Sequence, residues 1–493
     1  MAETRDIAAL LRAQTPLILI DTPDEARVVD LFRHLLDKVL RPLYRWSITD
    51  GLRRLDIDLD EDRPAPDVGS TLRAIREARL AGTYVLFDLH PYLNYAVTQR
   101  NLREIVQRED CPEHTLVLVG HRMELPPELD RLAVRVPLRL PDAQALSRIV
   151  AEEIKRYPGA HGGRRVEVEP ETVSAIVRNL EGLDASEARQ IVRQLIHGDG
   201  VLDGNDLPAL ARLKFNLLNR SGHLHFEYDT GQFSDVAGLE RLKRWVRRRR
   251  AIVLSPEPPP GLDPPRGVLL LGVQGCGKSL AAKAIAGGFG LPLLRLDFGT
   301  LYNKYHGETE ANLRAALASA EQLAPCVLWI DEIEKGLASS GDSDGGVSRR
   351  VLGYFLTWMA ERKKAVILVA TANAVRELPP ELLRKGRFDE IFFVDLPSAP
   401  VRQDIFRLHL AQRELESDAF DLAALAVASD GFSGAEIEQA IVSGLYAAHA
   451  EGTALDQALL LDELREARPL SVLMAEQVQA LRDWALPRTV PAD

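Results

Sequence analysis

Cysteine is scarce in this sequence. The 493 residues include only three, Cys111, Cys276 and Cys326, which are far apart. This spacing excludes a disulfide framework and a zinc site built from Cys-x-x-Cys pairs. A reducing cytoplasm is therefore the compartment that fits the chain best.

Long apolar runs are also lacking. No stretch reaches the roughly 18 uninterrupted apolar residues that a membrane-spanning helix needs. The N-terminal sequence MAETRDIAALLRAQ has no basic region followed by an apolar core, as a secretory signal would. We expect a protein that is neither secreted nor inserted in a membrane.

Positive charge is not in excess. Lys and Arg total 61 against 72 for Asp and Glu, a formal charge of -11. This balance argues against bulk attraction to nucleic acid or anionic membranes. One basic cluster, Lys243 to Arg250, could contact phosphates, although such a run is more often a solvated helix face or an intersubunit contact. Nucleic acid is therefore an unlikely partner by this criterion.

The composition and the pattern of apolar residues indicate an α/β protein of several domains. Hydrophobic residues make up 46% and charged residues 27%, a globular composition. From residue 267 onward, short apolar runs alternate with helix-length segments, which predicts a parallel sheet covered on both faces. These runs are GVLLLGV at 267, LPLLRLDF at 291, CVLWIDE at 326, AVILVATAN at 365 and EIFFVDLP at 390. Beyond Pro397 the pattern is helical only, which predicts a small helical lid.

The first 220 residues repeat this plan and indicate a duplication. Their apolar runs follow the same order: PLILID at 16, YRWSITD at 44, TYVLFDLH at 83, TLVLVGH at 115 and VRVPLRLP at 134. LPPELDR at 125 matches LPPELLR at 378, and GLDASEA at 182 matches GFSGAEI at 431. We predict a degenerate α/β module with its helical lid, followed by a second core with its own lid, over residues 1–141, 142–222, 233–397 and 398–493.

A phosphate-binding loop is the strongest chemical signal. The segment GVQGCGKS, from Gly272 to Ser279, has P-loop spacing and lies between a strand and a helix. Its backbone amides would surround phosphates, while Lys278 reaches the β and γ oxygens and Ser279 reaches magnesium. ATP and Mg²⁺ are the expected ligands, with Cys276 an inert loop residue. The predicted nucleotide contacts here are Gly272, Val273, Gln274, Gly275, Cys276, Gly277, Lys278, Ser279 and Leu280.

Two acids end the strand CVLWI. Asp331 is placed to hold the metal together with Ser279, and Glu332 to orient or deprotonate the attacking water. The first module lacks both features, because no P-loop follows PLILIDT and its third strand ends in Asp88 and His90 without paired acids. We interpret that module as a pseudo-ATPase with a structural or partner-binding role.

Together these motifs resemble the AAA family of ATPases over about residues 233–450. The segment FSDVAGLE from Phe233 resembles the family's adenine-flanking segment, which implies nucleotide contacts for Asp235 and Gly238. Gly434 and Ala435 resemble the lid's second sensor, near the base and ribose.

The same resemblance implies the remaining catalytic residues. Asn373 occupies the first sensor position, whose amide helps to place the water against the γ-phosphate. Arg384 and Arg387 match the arginines that act on the nucleotide of a neighbouring subunit, where they neutralise developing charge. The resemblance thus implies a homo-oligomer, a hexamer in the family's usual form.

This P-loop departs from the family's common GPPGTGK[ST], with Val273 and Gln274 in place of prolines and Cys276 in place of threonine. None of these changes removes a phosphate-contacting group. The ending RPLSVLMAEQVQALRDWALPRT, together with the degenerate first module, looks like a cyanobacterial and plastid open-reading-frame subgroup. For a protein of a plastid, the compartment equivalent to the cytoplasm is stroma-like.

Lys304, Tyr305 and His306 lie where protein-threading AAA rings carry an aromatic grip on the substrate. The main hypothesis is accordingly a Mg²⁺-dependent ATPase ring that remodels or threads a protein substrate. Alternatively, Tyr302 and Tyr305 only pack a subunit interface, and the chain is a nucleotide-gated assembly scaffold. Nucleic-acid remodelling is the least favoured function.

Overall fold

The computed structural model describes most of the chain. It covers residues 2–22, 24–36, 41–56, 67–107, 113–121, 123–160, 165–219, 222–228, 230–255, 259–301, 308–337 and 345–493. The chain separates into two compact units, residues 1–149 with 183–190, and residues 150–182 with 191–493.

A twisted sheet forms the centre of the first unit. Its strands are β1 (Leu17–Asp21), β2 (Leu43–Ser47), β3 (Gly51–Arg54), β4 (Thr83–Phe87), β5 (Thr115–Gly120) and β6 (Ala133–Arg135). They lie in the order β3-β2-β4-β5-β1-β6, and all neighbours are parallel except the β2–β3 hairpin. The two short strands β7 (Glu167–Val168) and β8 (Val201–Leu202) pair separately.

The second unit contains a larger sheet. Its strands are β9 (Leu224–Glu227), β10 (Gly267–Gly272), β11 (Leu293–Leu296), β12 (Cys326–Ile330), β13 (Val366–Ala372), β14 (Glu390–Val394) and β15 (Val490–Pro491). Their order is β15-β14-β10-β13-β12-β11-β9, with only β9 antiparallel to its neighbour. All five strands predicted for this unit are present.

Helices connect the strands and form the lid. Those before the second sheet are α1 (Ala2–Arg12), α2 (Glu25–Arg33), α3 (Val68–Glu77), α4 (Ala96–Gln107), α5 (Pro127–Asp130), α6 (Ala143–Ala160), α7 (Pro170–Leu180), α8 (Ala185–Asp199) and α9 (Asp206–Leu218). Those within the ATPase-like core are α10 (Glu240–Leu254), α11 (Lys278–Phe289), α12 (Phe298–Leu301), α13 (Glu308–Gln322), α14 (Ile333–Leu337) and α15 (Gly345–Glu361). The last are α16 (Ala399–Ala411), α17 (Leu422–Ala428), α18 (Gly434–Glu451), α19 (Gln457–Glu466), α20 (Leu470–Leu473) and α21 (Ala475–Ala485).

The two sheets share one topology. The first sheet has five parallel strands, and the second has five between β10 and β14 besides the short edge strand β15. If these five are numbered in chain order, both sheets read 5-1-4-3-2. In both, an acidic residue with left-handed backbone follows the third of these strands, Asp88 with φ 49° and Glu332 with φ 48°. The shared order agrees with the predicted repeat of one α/β plan.

Alternate residues of each strand pack on opposite faces of the second sheet. Leu269 and Leu271 belong to one buried cluster, whereas Val268 and Leu270 belong to another. A strand buried on both faces needs a continuous apolar run rather than an alternating one. This explains the uninterrupted apolar sequence of GVLLLG.

The end of the chain differs from the purely helical pattern predicted after Pro397. Helices α16 to α19 form a separate apolar cluster, as a lid should. In contrast, Val478, Leu481 and Ala485 of α21 pack in the cluster of the sheet, and β15 joins the edge of that sheet. In the described part of the chain, no helix is both long and apolar enough to cross a membrane.

Candidate active site

The P-loop curves between β10 and α11. Gly275 and Gly277 have φ values of 78° and 81°, which residues with a Cβ rarely adopt, and Gly277 is the N-cap of α11. A Cβ on Gly275 would lie only 2.8 Å from Ser433 Oγ of the lid. The glycines therefore leave a backbone cradle at a helix N-terminus, which suits an anion.

Lys278 is buried at the base of this cradle. Its Nζ donates to the carbonyl oxygens of Gly272 at 2.9 Å and Val273 at 2.7 Å. Burial lowers the pKa of Lys278 to about 8. Gly272 and Val273 thus hold the lysine through their carbonyls. These carbonyls are neutral, so the desolvated ammonium has no charged partner among them. A bound phosphate would supply one.

Asp331 receives hydrogen bonds from two hydroxyl groups. Its Oδ1 accepts from Ser279 Oγ at 3.2 Å and from Thr371 Oγ1 at 2.6 Å, and its Oδ2 lies 3.9 Å from Arg295 Nη2. A carboxylate beside a hydroxyl is a hard oxygen donor set, which Mg²⁺ prefers. The residues present therefore fit a magnesium ion.

Glu332 is held from both sides. Asn373 Nδ2 donates to its Oε1 at 2.8 Å, and Lys335 Nζ donates to its Oε2 at 2.5 Å. Its own backbone N–H donates to Thr371 Oγ1 at 2.9 Å. The Asn373 N–H donates to the buried Glu334, whose pKa is raised by burial. The strand ends β12 and β13 thus fix the two predicted polar residues, Glu332 and Asn373, against each other.

One cavity of about 710 Å³ joins these groups to the predicted base-side residues. Ala435 N–H donates to Gly275 O at 3.1 Å, so the lid touches the P-loop directly. The predicted residues that line the cavity are Asp235, Gly238, Gln274, Gly275, Cys276, Gly277, Lys278, Ser279, Leu280, Asp331, Glu332, Asn373, Gly434 and Ala435. Burial raises the pKa of the Cys276 thiol to about 12, so it is not a thiolate at neutral pH.

Several lining residues are absent from the predicted set. One face of helix α16 lines the cavity with Val401, Ile405, Leu408, His409 and Gln412. Their spacing matches one helical face, but that pattern alone does not distinguish a cavity wall from a core. Pro491, Ala492 and Asp493 also line it, and no local sequence signal indicates their position.

Arg384 and Arg387 are not among the residues that line this cavity. Arg384 is exposed, and Arg387 donates to the carbonyl oxygen of Leu356 on α15. Tyr302, Lys304, Tyr305 and His306, the predicted pore segment, lie outside the described residues.

The first unit has a different group where its P-loop would be. The Asp24 side chain caps α2 by accepting from Arg27 N–H at 3.1 Å. A carboxylate at this helix N-terminus uses a backbone donor that a phosphate would need and repels anions. This geometry agrees with the missing Gly-Lys-Ser sequence.

The basic segment of α10 is partly engaged within its own chain. Lys243 Nζ donates to Val236 O at 2.8 Å and to Glu240 at 3.1 Å, and Arg247 lies 3.6 Å from Glu240. The Arg249 guanidinium stacks 4.3 Å from the Trp245 ring centroid. These contacts are those of a helix face packed against its own domain.

Three family models match successive parts of the chain. The model of the ATPase family associated with various cellular activities (AAA) matches residues 268–396. Models of the N-terminal and second domains of SpoVK-like AAA ATPases match residues 3–138 and 144–221. The chain belongs to the AAA family of ATPases.

Within this family the chain is similar along its whole length to plastid-encoded proteins. It is 34% identical to the uncharacterized AAA domain-containing protein ycf46 of Pyropia yezoensis, covering 98% of this chain and 97% of the relative. The ycf46 protein of Trieres chinensis is 33% identical, over 97% and 96% of the two chains. The human ATPase family gene 2 protein homolog A is 36% identical over 42% of this chain and 24% of its own.

Proposed function

We propose that the chain hydrolyses ATP in a Mg²⁺-dependent reaction. The observation that carries this proposal is the meeting, in one cavity, of a buried lysine, a hydroxyl–carboxylate pair and a glutamate oriented by an asparagine amide. Phosphoryl transfer needs positioning and charge stabilisation more than covalent chemistry, and these groups supply both. The match to AAA ATPases supports the same reaction.

Each residue has a distinct role in this proposal. Lys278 binds the β- and γ-phosphate oxygens, exchanging its two carbonyl partners for charged ones. Ser279 and Asp331 hold Mg²⁺, which when bound neutralises phosphate charge. Glu332 orients the attacking water and takes its proton, and Asn373 holds both Glu332 and the water in place. The base and ribose lie among Asp235, Gly238, Gly434, Ala435 and the apolar face of α16.

We further propose that the chain works as a ring, a hexamer in the form usual for its family. Arg384 and Arg387 lie outside the cavity of their own chain, which supports a role at the nucleotide of a neighbour. An arginine supplied in this way stabilises transition-state charge only after assembly. Residues 1–222 would form the degenerate module and its lid, and residues 233–493 the ATPase core and lid. The plastid origin of the relatives supports a cytoplasmic or stroma-like location.

Movement of the ring would remodel or thread a protein substrate, with Tyr305 as the gripping side chain. The alternative is a scaffold whose assembly is set by ATP without threading. Replacing Tyr305 with Ala distinguishes the two functions: it abolishes remodelling and spares basal ATPase in the first, and changes neither assembly nor ATPase in the second.

The decisive experiment is the ATPase rate per subunit against protein concentration, with mass measured in parallel with and without ATP. A rate that rises as larger assemblies form supports the ring and its arginines. A concentration-independent rate from a stable monomer contradicts the ring, and no hydrolysis under any of these conditions contradicts the ATPase.

A further inference from the structure

Strand β15 closes the edge of the second sheet next to the candidate active site. It pairs parallel with β14, Val490 opposite Phe392 and Pro491 opposite Phe393, and Ala492 N–H donates to Phe393 O at 2.9 Å. Ala492 is 2% exposed and packs in the apolar cluster of this sheet face. The residues after α21 are thus an integral part of the core rather than a loose extension.

The same residues cap helix α10. The N-cap of α10 is Leu239, with left-handed backbone and no side-chain cap. Ala492 O accepts from Arg241 N–H at 3.0 Å and from Leu242 N–H at 3.2 Å. Asp493 Oδ1 accepts from Glu240 N–H at 3.4 Å. Amides in the first turn of a helix have no intrahelical partner, so residues 492 and 493 satisfy the three at the start of α10.

Helix α10 follows directly on the base-side segment of the cavity. Residues 235–239 line the cavity, as do Pro491, Ala492 and Asp493. At Gly238, with φ 65°, an added Cβ would lie 3.0 Å from Asp493 Oδ1 and 3.1 Å from Val401 of α16. The base-side segment, the lid helix and the end of β15 therefore meet at one point of the cavity wall.

An ion pair, in which one N–H is shared between both carboxylate oxygens, anchors α21 to the end of β14. Arg482 Nε lies 2.9 Å from Asp395 Oδ1 and 3.0 Å from Oδ2, and Asp395 itself lines the cavity. Both side chains are about one-third exposed, at 32% and 34%. The ion pair thus ties α21, the helix that precedes β15, to the residue that follows β14.

We propose that Arg482 and residues 490–493, here together called the clasp, are positioning residues of the nucleotide site. The clasp holds residues 235–239 in their binding conformation through the cap of α10, so that clasp docking and nucleotide binding strengthen each other. Thermodynamic linkage requires this effect to be reciprocal. The inference rests on the proposed function, because it takes Mg-ATP and Mg-ADP as the ligands of the cavity.

The test combines calorimetric titration of Mg-ADP with hydrogen exchange of backbone amides in the full chain. In the wild type, Mg-ADP should slow exchange at Arg241, Leu242 and Ala492. Arg482→Ala should speed exchange at those amides and weaken Mg-ADP binding about fivefold or more. It should raise the KM for ATP more than it lowers kcat, because no reacting group is changed.

Arg488→Ala is the matched control, since Arg488 is an exposed arginine between α21 and β15 whose guanidinium donates to Trp484 O and lies over the Trp484 ring. It should bind Mg-ADP as the wild type does. A second variant, Ala492→Glu, forces a carboxylate into a buried position and should displace β15. Thermal unfolding of each variant shows whether the fold is retained.

The outcomes separate the two proposals. A wild type that binds no Mg-ADP contradicts the proposed function and the clasp with it. A wild type that binds, together with a folded Arg482→Ala variant whose exchange is faster but whose affinity is unchanged, overturns the clasp alone.

Discussion

Two donors hold the carboxylate of Glu332, one on each oxygen. Asn373 orients Oε1 from the neighbouring strand end, whereas Lys335 Nζ holds Oε2 from one helical turn away. The bond to Glu332 raises the pKa of Lys335, so this ammonium is charged at neutral pH. The two donors thus fix the direction of the carboxylate that is proposed to act as the base.

Glu332→Gln should separate binding from turnover. Glutamine keeps the size of the side chain and can still accept from Asn373, but it cannot take a proton from water. We expect ATP affinity close to that of the wild type and a kcat lower by about 10²–10⁴. Equilibrium binding and a phosphate-release assay measure the two quantities. Glu377→Gln, an exposed change outside the cavity, is the control, and normal turnover by Glu332→Gln would show that the assigned role is wrong.

Lys278→Ala should act on binding instead. Charge-assisted hydrogen bonds contribute about 1.5–3 kcal/mol, so the loss of this lysine should weaken ATP binding about 10- to 100-fold. Lys283→Ala is a control on the same helix, because Lys283 pairs with Glu227 at 3.6 Å and does not line the cavity. Equal affinities of the two variants in a fluorescent-nucleotide titration would contradict the P-loop assignment.

At the scale of elements, local signals explain what could be predicted. The P-loop and the two acids are contiguous in the sequence, and continuous apolar runs predict buried parallel strands, so the core and its catalytic edge follow from short patterns. The strand β15 carries no such signal. It has two residues, one of them Pro491, and a proline in a sheet is restricted to edges. Its partner Phe393 lies almost a hundred residues earlier, and only the fold brings them together.

The face of α16 illustrates a different reason. Val401, Ile405 and Leu408 have the spacing of a buried helix face, and the sequence cannot say whether a core or a cavity lies opposite. His409 on this face has its pKa lowered by burial, so it lines the cavity as a neutral imidazole at pH 7. Environment, not residue type, determines such a role.

The junction of α7 and α9 contains a buried lysine with a testable pH dependence. Lys214 Nζ donates to Glu181 O at 2.7 Å. Glu181 is the C-cap of α7, where the helix dipole favours a positive charge. Burial lowers the pKa of Lys214 to about 8 from 10.5. Between these two values the unfolded chain binds more protons than the folded one, so this group makes stability rise with pH across that window.

Lys214→Met should remove that increment. The thermal midpoint of the wild type should rise relative to that of the variant when the pH is raised from about 7 to about 9.5. Lys363→Met, the same change at an exposed lysine, is the control. A pH-independent difference for Lys214→Met would mean that Lys214 has no lowered pKa in the folded protein.

At the scale of the whole molecule, one sheet topology occurs twice, whereas among the described residues the groups of a candidate ATP site come together only in the second unit. Both sheets read 5-1-4-3-2, yet in the first unit Asp24 caps the helix that would bind phosphate. Arg384 and Arg387 do not line the cavity of their own chain, so in the proposed ring they would complete the site of a neighbour. A site incomplete without its neighbour predicts that two differently inactivated chains can complement each other.

Mixing Glu332→Gln with an Arg384→Ala, Arg387→Ala double variant tests this. Each variant alone should be nearly inactive. The first lacks the catalytic base in every site, and the second lacks the arginines that every site needs from its neighbour. In a random one-to-one ring, a double-variant site meets intact arginines at about a quarter of interfaces, so activity per subunit should approach a quarter of the wild-type rate. Phosphate release from mixtures of varied ratio measures this activity, with the maximum expected at equal proportions.

If the mixture is no more active than its components while mass measurements show mixed rings, the arginines do not act across the interface. If the double variant alone hydrolyses ATP at the wild-type rate, each site is complete within its own chain, and assembly serves some purpose other than catalysis.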